Sequence, residues 1–141
     1  MNDKIRILVA FDGCSASAQS VLYLSRLSAL RTAGVVLMHV FSPLPDYYWD
    51  MEGYADPILY GERLREALHW DRQSKAAVEA KLEAAKKILS QAGFDPHAIE
   101  IRLVERQAGF ARDIIQVAQE GFDLVIMGRR GTSNLDPNAC L

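Results

Sequence analysis

Two short stretches of this 141-residue chain have residue types and spacing suited to chemistry: Asp12-Gly13, and Gly128-Arg-Arg-Gly131-Thr132. Each follows an apolar run, Ile5-Arg-Ile-Leu-Val-Ala-Phe11 in the first case and Leu124-Val-Ile-Met127 in the second. Two glycines three apart at the carboxyl end of a strand let a backbone approach a ligand without interference from Cβ. Successive N–H groups in such a turn can cradle a phosphate. A plain strand-ending turn would read the same way, and Asp12 would serve equally well to cap the turn after its own strand.

Other chemistries find less support. There is no GxxxxGK(S/T) phosphate loop, no HxGH sequence and no nucleophile paired with a base. His39, His69 and His97 occur singly, and His39, in an apolar run, reads as a packed and hydrogen-bonded core residue. Cys14 and Cys140 have no metal-ligand spacing and are expected to be free thiols. Cys14 is either a small buried thiol or, beside a helix N-terminus, one of lowered pKa. Arg129 and Arg130 either attract phosphate by charge or are solvated.

The elements that must position these residues follow from periodicity. The run closing on Asp12 is rich in β-branched and large apolar residues and predicts a buried first strand. Ser15 or Ser17 can cap a following helix with an apolar stripe of Val21, Leu22, Leu24, Leu27 and Leu30, ending at Gly34. Val35 to Phe41 predicts a second strand, stopped by Pro43 and Pro45. Ser42 to Pro57 is acidic and aromatic and long for a connection, suited to cover a ligand or meet a partner, or to pack on the neighbouring helix. Ile58 to Ala92 reads as helical, with Val78, Leu82, Ala85, Ile88, Leu89 and Ala92 on one face and a solvated, charged face opposite. Its length suggests a break near His69 to Ser74 or an irregular start.

Ile99-Glu-Ile-Arg-Leu-Val104 alternates apolar and charged residues and is expected at a sheet edge. A helix over Phe110 to Glu120, with Ile114, Ile115 and Ala118 inward, leads to the fourth strand, Asp123 to Met127, which reads as buried on both faces. The series βαβαβαβ predicts the fold class: α/β, an open parallel sheet with helices on both faces. Such sheets bind ligands beyond the strands' carboxyl ends where strand order reverses. In the flavodoxin-like order 2-1-3-4-5 and its relatives, the first strand borders that point. If strands one and four are neighbours, Asp12-Gly13 and Gly128–Gly131 converge, with Asp12 the one acidic residue placed there.

The composition suits this reading. A hydrophobic content of 50%, a charged content of 24% and a net charge of −2 describe a globular chain without the basic excess that would favour nucleic acid. No apolar run approaches the roughly 20 residues that span a bilayer, and no signal-peptide pattern opens the sequence, so a cytoplasmic location is expected, with neither membrane nor nucleic acid as partner.

With these residues in view the chain resembles the universal stress proteins. Ile7-Leu-Val-Ala-Phe-Asp-Gly13, the His39-Val40 end of strand two, the long second helix and Asp123-Leu-Val-Ile-Met-Gly-Arg-Arg-Gly131 carry the resemblance, which spans nearly the whole chain. It implies an adenine nucleotide, ATP or a relative with Mg²⁺, lying across strands one and four. By the same resemblance Asp12 and Gly13 lie at the ribose, the backbone around Val40 and Met127 meets adenine, and Gly128, Gly131 and Thr132 approach ribose and phosphates. A homodimer is implied, and hydrolysis is expected to be slow at most.

The family signature runs Gly, two residues, Gly, nine residues, Gly, then Ser or Thr. Here the third glycine would fall at Leu141. The expected division is therefore a domain over 1–135, including the 42–57 loop, and an atypical tail over 136–141. A fifth strand would be absent or supplied by a partner, in a truncated product, an engineered tail or half of a tandem protein. A dimerising scaffold that binds no nucleotide is the competing functional reading.

Overall fold

The computed structural model describes residues 4–13, 15–41 and 57–128, with 57–71 and 74 described by backbone alone. Four strands, β1 (Arg6–Ala10), β2 (Gly34–Phe41), β3 (Ile99–Glu105) and β4 (Leu124–Met127), form one parallel sheet in the order β3-β2-β1-β4. The α/β class and the edge position of β3 are as the sequence indicates. The flavodoxin order would put β3 beside β1; here β4 takes that place, and the order reverses between β1 and β4.

Among the described residues three helices cover the sheet: α1 (Ser15–Ser25), α2 (Pro57–Gln91) and α3 (Phe110–Ala118). Side-chain alternation along the strands sorts the core into two layers. Ile7, Val9, Val35, Leu37 and Ile99 meet Val21 and Leu24 of α1 and Leu82, Ala85 and Leu89 of α2. Leu8, Val36, Met38 and Val40 meet Val117 of α3 on the opposite face. Leu82 and Leu89 are fully buried, each contributing about 1.5–3 kcal/mol of apolar transfer.

Four local expectations need correction. Helix α1 stops at Ser25, and a short 3₁₀ turn (Ser28–Leu30) completes the crossover; Leu27 and Leu30 still pack on the core, whereas Leu22 is exposed. Helix α2 runs unbroken from Pro57 to Gln91. In α3, Ile114 and Ala118 pack on the core as expected, beside the buried Asp113 and Val117, but Ile115 is 56% exposed, because this helix lies over β1 and β2 and buries only a narrow stripe. Strand β4 is not buried on both faces: Leu124, Val125 and Met127 are exposed, since β4 ends the sheet among the described residues.

The neighbouring of β1 and β4 is fixed at their amino ends by Arg6 and Asp123. The Arg6 N–H donates to Asp123 Oδ2 (2.8 Å), and the Asp123 N–H donates to the Arg6 carbonyl (2.9 Å). The Arg6 guanidinium also covers the Phe122 ring at 4.4 Å and donates to the Glu120 and Gly121 carbonyls. With Ile7 opposite Leu124 and Ala10 opposite Met127, both strands reach the carboxyl edge in step. Their following turns therefore meet.

Candidate functional site at the carboxyl edge of β1 and β4

The convergence expected from strand neighbouring is present, and the first turn of α1 is its hub. Ser17 is buried, and its hydroxyl turns back to the end of β1: it accepts from the Asp12 N–H (3.0 Å) and donates to Asp12 Oδ1. Neither Ser15 nor Ser17 shows a capping bond to the helix backbone among the described residues. From the other side Gly128 abuts the same turn. A Cβ built on it would stand 2.7 Å from the Ala16 carbonyl carbon and 2.9 Å from the Ser17 nitrogen. Those are backbone atoms that no rotamer change can move, so glycine is required by the approach of β4 to α1.

Gly13 takes a left-handed conformation, φ +83°, which carries the chain sharply from β1 into α1. Its carbonyl accepts from Lys81 Nζ of α2 at 3.0 Å. The Asp12-Gly13 turn is thus held by α1 through Ser17 and by α2 through Lys81. The Lys75 ammonium lies 4.9 Å above the Phe41 ring at the end of β2.

His39 stands beside this turn, half-buried. Its Nδ1 is 2.8 Å from the Phe11 carbonyl; a carbonyl only accepts, so Nδ1 carries the proton. Burial, the leading cause, lowers the imidazole pKa from its ordinary value, against smaller opposing effects of the Phe11 bond and the Asp12 charge. The ring is neutral at neutral pH and acts as a brace between β2 and β1, the packed, hydrogen-bonded role read for it from the sequence.

The remaining sequence-designated residues distribute as follows. Val40 lies near the carboxyl end of β2 with its side chain buried against Leu8 and Met38, leaving its backbone as the part available to a ligand. Met127, the last residue of β4, has a side chain 57% exposed. Between α1 and β4, a groove of about 490 Å³ runs past Ala16, Gln19 and Tyr23 to Met127 and Gly128. Cys14, the loop over 42–56, Arg129, Arg130, Gly131, Thr132, Cys140 and the 136–141 tail lie outside the described residues.

Lys81, which the sequence places on the solvated face of α2, instead holds the Gly13 turn. The available signal was its position directly before Leu82 and three residues after Val78, at the border of the apolar stripe. Among the described residues no group of three or more His, Cys, Asp or Glu could hold a metal ion. No described helix is long and apolar enough to cross a membrane.

A parallel sheet whose order reverses between β1 and β4, with a carboxylate and a left-handed glycine at that reversal, defines an α/β protein of the open parallel-sheet class. The chain belongs to the universal stress protein family, whose model matches residues 5–137. It is similar to a universal stress protein family member from Burkholderia pseudomallei, at 25% identity and a TM-score of 0.58, covering 99% of this chain and 94% of that one. It also resembles the universal stress protein UspA from Lactobacillus plantarum (17% identity, TM-score 0.57, 99% and 88% covered). A universal stress protein in complex with cAMP matches at 21% identity and a TM-score of 0.54, covering 86% of this chain and 74% of that one. No curated protein sequence matches the chain significantly.

Proposed function

We propose that this protein is a cytoplasmic stress-response regulator that binds an adenine nucleotide at the carboxyl edge of β1 and β4. The observation that carries the reading is the meeting of the Asp12-Gly13 turn and Gly128 on the first turn of α1, which places a carboxylate at the carboxyl edge where the strand order reverses. Asp12 accepts from ribose hydroxyls, the backbone at Val40 and Met127 borders adenine, and the backbone of Gly13 and Gly128 borders ribose and phosphates. Gly131 and Thr132 extend the phosphate contact, with Mg²⁺ arriving on the nucleotide. The cAMP complex of a structurally similar protein supports the ligand class. The role is binding, with hydrolysis slow at most, and the working form is a homodimer.

Calorimetric titration with ATP and Mg²⁺, AMP and cAMP tests this reading, comparing the wild type with Asp12→Ala. Saturable binding by the wild type, weakened at least about tenfold by the substitution (about 1.4 kcal/mol), is expected. Absence of binding to all three would contradict it.

A second reading, a dimerising scaffold without nucleotide, is favoured by one observation: Asp12 already has a structural partner in Ser17. Under that reading Asp12→Ala lowers stability and leaves no ligand affinity to lose.

A further inference from the structure

The backbone leaving β1 is held at three successive residues. The Phe11 N–H donates to the Met38 carbonyl at 2.7 Å, and the Phe11 carbonyl lies 2.8 Å from His39 Nδ1. The Asp12 N–H donates to Ser17 Oγ at 3.0 Å, and the Gly13 carbonyl accepts from Lys81 Nζ at 3.0 Å. The first holds come from β2 and α1, the neighbours of the turn in the sheet and along the chain. The last comes from α2, 68 positions away.

Gly13 is the residue of the three that gains most from an outside hold. Its φ of +83° makes the sharp turn possible, but the freedom that lets glycine enter that conformation also lets it leave. An ammonium donating to a carbonyl is a charge-assisted bond, stronger than a neutral one. It fixes the direction of the Gly13 carbonyl and with it the turn that carries Asp12.

The packing of α2 delivers Lys81 to this place. Leu82 and Ala85 are buried in the core and Val78 packs against it, so Lys81 lies at the border of the apolar stripe, half-buried. Its stem runs along Gly13: a Cβ built there would stand 3.7 Å from Lys81 Cδ, 3.8 Å from its Nζ and 3.8 Å from Val78 Cγ2. Ordering a lysine in this way costs side-chain entropy that a solvated lysine keeps. The side of Gly13 that faces α2 is thus occupied by the protein itself.

From these contacts we infer that Lys81 is a positioning residue for the adenine nucleotide. It acts through the Gly13 carbonyl, keeping the Asp12-Gly13 turn in its binding conformation before the ligand arrives, and a site ordered in advance loses less freedom on binding. It is not a phosphate ligand in its own right. The inference rests on the nucleotide reading of the preceding subsection and gives α2 a part in that site.

Calorimetric titration of the full chain with AMP and with ATP and Mg²⁺ tests it, in the wild type and three variants. Lys81→Met keeps most of the stem and removes the donor; it should weaken both ligands by the same factor, about tenfold. Lys81→Arg restores a cationic donor for a single carbonyl and should recover most of that loss. Ala84→Gly, on the exposed face of the same helix, lowers stability through helix propensity alone and should leave both affinities unchanged. This last variant separates positioning from a general loosening of α2. Wild-type binding that Lys81→Met leaves intact would overturn the inference alone. So would a loss that Ala84→Gly reproduces, or one much larger for ATP than for AMP, which would make Lys81 a phosphate contact. A wild type that binds neither ligand would overturn the nucleotide reading and this inference with it.

Discussion

The Ser17 hydroxyl bridges both ends of Asp12, accepting from its backbone N–H at 3.0 Å and donating to its carboxylate. One buried residue in the first turn of α1 therefore sets the conformation at the end of β1 and aims the carboxylate proposed to meet ribose. Ser17→Ala removes both bonds and leaves the Asp12 N–H without this acceptor. A loss of about 1–3 kcal/mol is expected, read as a lower urea midpoint with unchanged slope.

Gly128→Ala is expected to be more disruptive than its size suggests. The added methyl would lie 2.7 Å from the Ala16 carbonyl carbon, so β4 or α1 must shift, at a cost of about 1–3 kcal/mol. Gly34 is the control, since a Cβ there meets nothing nearer than the Ala98 carbonyl oxygen at 3.9 Å. Thermal unfolding of the two variants side by side should show a clear drop for the first and a small change for the second.

His39 makes stability depend on pH on the acid side of neutrality. Burial holds its pKa below the ordinary 6.5, so the unfolded chain takes up a proton that the folded chain refuses. Stability contributed by His39 is flat above that value and falls as pH drops from 6.5 toward the folded pKa. His39→Gln can keep a donor near the Phe11 carbonyl and should remove this part of the slope. Urea titrations between pH 5 and 8 (about the range where His changes charge) would show an unchanged slope if His39 were not responsible.

Asp113 acts at lower pH. Its carboxylate accepts from the Gln107 N–H (2.9 Å) and the Ala108 N–H (3.1 Å), bonds that hold its pKa below the usual carboxylate value, with the Gln107 bond the largest cause. A depressed folded pKa contributes stability above the unfolded value that is lost as pH falls through the folded one. Asp113→Asn should lower stability at neutral pH and flatten the acid limb of the curve; an unaltered acid limb would assign that limb to other carboxylates.

The fold was legible wherever pattern and burial coincide, as in β1 and β2, whose apolar runs are buried on both faces. It was less so where apolar spacing outlasts conformation: Leu27 and Leu30 keep the stripe of α1 and pack on the core, yet the helix has ended. An apolar run such as Leu124 to Met127 likewise states what can be buried and not whether anything covers it. Asp12, Gly13 and Gly128 were found because their types and places at strand ends are local facts. Lys81 was not, since its link to Gly13 spans 68 positions and exists only once α2 packs beside α1.

The most direct test of a nucleotide site at this edge is amide chemical-shift mapping of the full chain during titration with ATP and Mg²⁺. The proposal requires the largest shifts at Gly13, Val40, Met127 and Gly128, reached saturably. Shifts confined to other surfaces, or none at saturating nucleotide, would contradict it.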